Sequence, residues 1–308
     1  MNVVELENLT KDYGDGKGIF GLNLTVSEGE TVGYVGTNGS GKTTTIRSIL
    51  GFIRPTSGRV SVKGLSSWEN SDVIAGMVGY VPGEIAFPDL KTGIEFLRCQ
   101  AEFTGLTDMR YANSLIERLQ LDPRAGLKRM SKGMKQKTAL VAALMNDRPI
   151  LILDEPTTGL DPLMRQTFLD VLREERARGK TIFMSSHGFE ELETTCDRVA
   201  LINDGKIVDV ADVNKIRNPS EKEFKIEFRD KADYLSFRAE GFRVVRLQEQ
   251  YAQVTVRLPV GKTGELLGAL SRYDVKFISE VPCTLEKYFK KVLFSQKAAQ
   301  KEAQANVQ

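Results

Sequence analysis

Residues 31–46, TVGYVGTNGSGKTTTI, constrain this chain more than any other stretch. An apolar, strand-like run ends in Gly36, Thr37, Asn38, Gly39, Ser40, Gly41, Lys42 and Thr43, and a helix-forming run follows. The pattern is GxxxxGK[ST] between a strand and a helix. A loop so dense in glycine can curl until its backbone N–H groups point inward, which is what a polyphosphate needs. Gly36, Gly39 and Gly41 supply the permissive backbone, and Asn38, Ser40 and Thr44 complete the candidate phosphate-facing set. Lys42 is placed to reach the β- and γ-phosphates and the Thr43 hydroxyl to reach Mg2+, while the helix starting near Lys42 turns its N-terminal dipole toward the anion. Alone, the stretch also reads as a Gly/Ser/Thr turn before an ordinary helix. A carboxylate on a second strand, able to serve a metal, decides between the two.

That carboxylate comes at residues 149–156, PILILDEP, a continuous apolar run of the kind that forms a strand buried on both faces of a parallel sheet. Open α/β sheets bind ligands at the C-terminal ends of their strands, so Asp154 can hold a hydrated Mg2+ and Glu155 can face an attacking water. Another buried run, KTIFMSS at 180–186, delivers His187, the chain's single histidine, to a strand end beside Ser185 and Ser186. Lone histidines are more often structural than catalytic; its place at a strand end is what points this one at the crevice.

The composition narrows the class. With 43 basic and 41 acidic residues the net charge is +2, so nucleic acid is not the expected partner. An apolar content of 41% over 308 residues suffices for the core of one large domain and a small one. Cys99, Cys196 and Cys283 form no CxxC pair, which suits a reducing compartment and argues against zinc. The longest apolar run, residues 139–145, falls far short of the roughly 18 residues a membrane span needs. The start, MNVVELENLT, lacks a basic stretch followed by an apolar one, so no secretory signal is expected.

In chain order, strands are expected at 2–8 and 20–27 with a GDGKG turn between them. Tyr13, just before that turn, either stacks on a base or packs on the sheet edge. The helix from Lys42 should close at Gly51. A strand begins at Val60, another lies at 77–81, and a Pro/Gly-rich loop follows. Residues 94–121 read as a helical insertion broken at TGLTD. Ser131 is the expected N-cap of the next apolar helix. A helix spans 163–178, and Asp204-Gly205 joins a hairpin of 198–203 with 206–210. Beyond 218 the pattern is strand, helix, two strands, helix, strand and a last helix at 285–293, an order that suggests a small α+β ferredoxin-like domain. The expected division is 1–218, 219–294 and a polar tail at 295–308.

Over roughly residues 1–218 the chain resembles the nucleotide-binding subunit of an ABC transporter. The phosphate loop at 36–43, a signature-like segment at 131–135, Asp154-Glu155, Gly159 to Asp161 and His187 occur in that family's order. The resemblance implies an α/β P-loop NTPase core with an antiparallel β subdomain and a helical insertion. It further implies ATP and Mg2+ as ligands, and hydrolysis of ATP that powers export through a separate transmembrane permease subunit. Two ATP-binding subunits, in the simplest case a homodimer, would close head to tail. Ser131 and Gly133 would then meet the γ-phosphate held by the opposite Lys42, with Asp161 also at the nucleotide. Tyr13 becomes the adenine-stacking residue, and His187 the γ-phosphate contact. Such a subunit would be cytoplasmic, peripheral on the inner face of the cell membrane. The competing function is an ATP-dependent dimerisation switch that barely turns over; the presence of Glu155 and His187 speaks against it. Two positions depart from the family pattern. LSGGQ is MSKGM here, a form similar to that of ATPases paired with ABC-2 type exporters, and Gly83-Glu84 stands where the family carries a glutamine.

Overall fold

The structure, a computed structural model, describes the backbone of residues 1–305 and the side chains of residues 1–295. Contacts divide the chain into two units, one built on Met1–Asp212 and the other Val213–Lys291.

In the first unit β1 (Asn2–Asp12), β2 (Gly18–Ser27), β4 (Ser57–Val62) and β5 (Leu65–Ser66) form an antiparallel sheet in the order β2-β1-β4-β5. The alternation along β2 buries Leu22, Leu24 and Val26. Strand β1 runs past the expected end at Asn8 because a register shift between Leu6 and Leu9, with Asn8 at φ 48°, restores Leu9 to the core.

The second sheet runs β10-β9-β3-β8-β7-β6. It contains β3 (Thr31–Val35), β6 (Val78–Val81), β7 (Ile150–Asp154), β8 (Thr181–Ser186), β9 (Arg198–Asn203) and β10 (Lys206–Asp212). All neighbours are parallel except β10, which returns antiparallel along β9. Every residue of β3, β7 and β8 is buried, which is why their sequences show no apolar–polar alternation. Register fixes the functional edge: Val35 pairs with Ser186, and Asp154 with Ser185. The segments that leave β3, β7 and β8 therefore emerge side by side.

Helix α1 (Lys42–Ile49) follows β3 and closes with Gly51 at φ 73°, whose N–H reaches the Ser48 carbonyl. The short α2 (Ser71–Met77), unforeseen in the sequence, precedes β6. The helical insertion is α3 (Gly93–Thr104) and α4 (Arg110–Arg118), separated at Gly105, and α5 (Lys132–Leu144) follows it. Helix α6 (Pro162–Ala177) lies between β7 and β8, and α7 (Phe189–Thr195) between β8 and β9.

The second unit opens with α8 (Val213–Arg217). It continues with β11 (Glu221–Phe228), α9 (Lys231–Phe237), β12 (Arg243–Gln248), β13 (Gln253–Pro259), α10 (Thr263–Leu270) and β14 (Val275–Val281). Its antiparallel sheet runs β12-β13-β11-β14. Phe224, Ile226, Phe228, Val254 and Val256 on the strands share one core with Tyr234, Phe237 and Leu266 on the helices. The last helix, α11 (Leu285–Ala305), continues through most of the stretch expected as a polar tail, because Ala, Gln, Lys and Glu all favour helix. The final residues of that tail lie outside the described residues.

Gly79 shows how closely α5 seats on β6: a β-carbon there would lie 2.3 Å from the Ala143 carbonyl oxygen. Gly79→Ala should force strand and helix apart and destabilise the protein by about 1–3 kcal/mol. A lowered midpoint of chemical denaturation is the readout, and an unchanged midpoint refutes it.

Candidate functional site

The loop after β3 takes its shape from its glycines. Gly39 and Gly41 have φ of 79° and 108°, a region closed to most side chains, and a β-carbon at Gly36 would sit 2.4 Å from the Ile202 carbonyl oxygen. The loop is propped from outside by the β9–β10 turn, whose Gly205 N–H donates to the Ser40 carbonyl at 3.1 Å. Ser40 Oγ is buried with no hydrogen-bond partner among the described residues, a donor left available to an acceptor in the loop. Lys42 is only 5% exposed, and its Nζ donates to the carbonyls of Gly36 at 2.8 Å and Thr37 at 3.1 Å, across the mouth of the loop. Burial pulls the Lys42 ammonium below its ordinary pKa, against the pull of Glu155 and Asp154, which hold its proton on.

The acids stand beside this loop. Asp154 is buried, and Oδ2 accepts from Thr43 Oγ1 at 2.8 Å while Oδ1 accepts from Ser185 Oγ at 2.5 Å. The same Ser185 oxygen accepts the Glu155 N–H at 3.0 Å. Glu155 adopts φ 51°, a left-handed conformation that costs a non-glycine residue about 1–3 kcal/mol. Its Oε1 lies 2.6 Å from His187 Nε2 and 3.7 Å from Lys42 Nζ. Gly83 packs against this cluster, since a β-carbon there would lie 3.0 Å from Asp154 Oδ2. Burial and the nearby Asp154 charge push the Tyr80 phenol up to about 12.

Lys42, Thr43, Asp154, Glu155 and His187 thus form one connected group. Among the described residues, no hydrogen bond joins Tyr13, Ser131, Gly133 or Asp161 to it. Tyr13 is 55% exposed, with Lys11 Nζ 5.5 Å from its ring centroid, so its ring stands open and is not packed on the sheet edge. Ser131 caps α5 by accepting the Met134 N–H at 3.2 Å, and Gly133 lets the Gly159 carbonyl approach that helix, where a β-carbon would be 2.7 Å from it. Asp161 caps α6, accepting the Met164 N–H at 2.9 Å. Sequence reasoning noted Ser185 only as a neighbour of His187, and it passed over Thr157 and Glu191 because hydroxyls and acids of that kind are common on any surface. No sequence signal marks Ser185; its register opposite Asp154 in the folded sheet does.

A glycine loop with a buried lysine at a helix start, next to a strand-end acid held by the threonine after that lysine, defines a P-loop nucleotide-binding ATPase. The ABC transporter family model matches residues 19–158. The chain is 31% identical over 300 residues to the bacitracin transport ATP-binding protein BcrA of Bacillus licheniformis, covering 94% of this chain and 97% of that protein. It is 34% identical over 211 residues to the linearmycin resistance ATP-binding protein LnrL of Bacillus subtilis, covering 67% of this chain and 68% of that one. Among solved structures, an ATP-binding subunit of an ABC transporter superposes with a TM-score of 0.65 at 29% identity, over 70% of this chain and 92% of that one. The chain belongs to the ABC transporter family, as an ATP-binding subunit of exporter type that hydrolyses ATP to power transport.

Ser185 joins Asp154 to the Glu155 backbone. Ser185→Ala should leave a buried carboxylate oxygen and an N–H short of a partner, lowering stability by about 1–3 kcal/mol in denaturant titration; an unaltered midpoint would show that the bridge is energetically idle.

Proposed function

We propose that the connected group at the ends of β3, β7 and β8 is the hydrolytic site, with Glu155 as the residue that orients and deprotonates the attacking water. The observation that carries this reading is the position of the Glu155 carboxylate, between His187 Nε2 and Lys42 Nζ and next to Asp154. Lys42 and the inward N–H groups of residues 36–43 bind the phosphates, with the helix start behind them. Asp154 and Thr43 present two hard oxygens 2.8 Å apart, a donor set that fits Mg2+. When bound, that ion neutralises phosphate charge. With no side chain at position 83, the protein's own oxygens for it come from these two residues. His187 contacts the γ-phosphate side, and the open ring of Tyr13 stacks on adenine.

Ser131, Gly133 and Asp161 serve the nucleotide of a second copy of the subunit, which fits the absence, among the described residues, of hydrogen bonds from them to the group above. The dimer works with a separate permease at the inner face of the membrane. An apolar groove of about 340 Å3, with Phe103 89% exposed and Phe52 56% exposed on its rim, supports docking of such a partner, since exposed aromatics of this size are costly in water. No helix among the described residues is long and apolar enough to cross a membrane. Residues 219–294 form a ferredoxin-like accessory domain with the tail beyond it; the sheet order β12-β13-β11-β14 supports that reading.

Glu155→Gln should bind ATP normally and lose on the order of a hundredfold or more in turnover. Lys42→Ala should weaken ATP binding by about 1.5–3 kcal/mol in calorimetry. Near-normal hydrolysis by Glu155→Gln removes Glu155 from the mechanism, and unchanged affinity in Lys42→Ala removes the pocket.

A further inference from the structure

Glu191 lies in the first turn of α7 and is only 8% exposed. Its two carboxylate oxygens serve two different loops. Thr157 Oγ1, on the segment leaving Glu155, donates to Oε2 at 2.8 Å, while Ser186 Oγ donates to Oε1. The same Ser186 oxygen accepts the Gly188 N–H at 2.9 Å, so the residues on either side of His187 are tied to one hydroxyl. The chain through Thr157, Glu191 and Ser186 therefore links the loop that carries Glu155 to the loop that carries His187. Burial raises the Glu191 pKa, opposed by the Thr157 hydrogen bond, with Arg165, His187 and Glu155 as the charged groups acting on it. Among the described residues its oxygens have hydroxyl partners only, so burying this acid costs desolvation that an apolar side chain would avoid. Its geometry accounts for its presence: two acceptors on one rigid fork can hold two loops at a fixed separation.

We infer that Glu191 is a positioning residue for ATP hydrolysis, bracing the His187 loop against the Glu155 loop so that His187 Nε2 and Glu155 Oε1 stay face to face. The inference rests on the catalytic reading of Glu155 and His187 given above. The brace works through hydrogen bonds to neutral hydroxyls, so an amide can replace the carboxylate. It also works through His187, so it has nothing left to position once that imidazole is gone.

Steady-state hydrolysis of Mg-ATP by the full chain tests this with Glu191→Ala, Glu191→Gln, Thr157→Val, His187→Ala and the Glu191→Ala/His187→Ala pair. Misplacing a catalytic group by about 1 Å costs up to a hundredfold, so Glu191→Ala should lower kcat by about ten- to a hundredfold while KM for ATP stays within about twofold. Glu191→Gln should recover most of the loss. Thr157→Val, which removes one hydroxyl at constant shape and leaves Glu191 in place, should lower kcat in the same sense even if Glu191→Ala does not fold. The double variant should be no slower than His187→Ala alone. Unchanged kcat in Thr157→Val, a glutamine variant as slow as the alanine one, or additive losses in the double variant each overturn the brace while leaving His187 in the mechanism. Unchanged kcat in His187→Ala overturns the reading of the site, and the brace with it.

Discussion

Everything at this site depends on holding one buried acid in place. Asp154 ends a strand covered on both faces, where an unpartnered carboxylate would be prohibitively costly, and among the described residues it is stabilised by two hydroxyls and by no ion pair. Those hydroxyls come from different elements. Thr43 arrives on α1, whose start is set by the glycine loop, and Ser185 arrives on β8, in register opposite Asp154. A slip of one residue between β7 and β8 would turn Ser185 to the other face and leave the acid unsupported. Sheet register is thus an electrostatic requirement here as well as a packing one.

Around this acid the charges differ in how firmly they are fixed. Lys42 is anchored to two backbone carbonyls of its own loop, whose shape cannot change without disturbing Gly39 and Gly41. Glu155 is held at its backbone by Ser185, in a conformation that costs energy, and its carboxylate oxygen Oε1 faces both His187 and Lys42.

The outline of this arrangement was legible in the sequence wherever one residue type alone can do the job. Phosphate-loop glycines, the buried runs of β3, β7 and β8, and the acids at a strand end are of that kind. The alternating strands after residue 218 were legible too, because alternation reports which face of a strand is buried. What stayed hidden was interchangeable chemistry. Ser185, Thr157 and Glu191 are ordinary polar residues until register and burial place them, and the left-handed backbone of Glu155 leaves no mark on composition. The bulge at Asn8 hid the true length of β1 because it interrupts the alternation that identifies a strand. Helix α2 is too short to show a period.

The turn at Asp204-Gly205 has a different kind of consequence. Hairpin tips are ordinarily where a chain best tolerates insertions and tags. Here Gly205 accepts the Phe20 N–H at 2.8 Å and donates to Ser40, so one turn residue fastens a strand of the antiparallel sheet to the phosphate loop. A β-carbon at Gly205 would fall 2.4 Å from the Gly18 carbonyl oxygen. This loop tip is therefore a keystone: lengthening it would loosen the nucleotide pocket from behind, and an engineer seeking a permissive site in this cassette should look elsewhere.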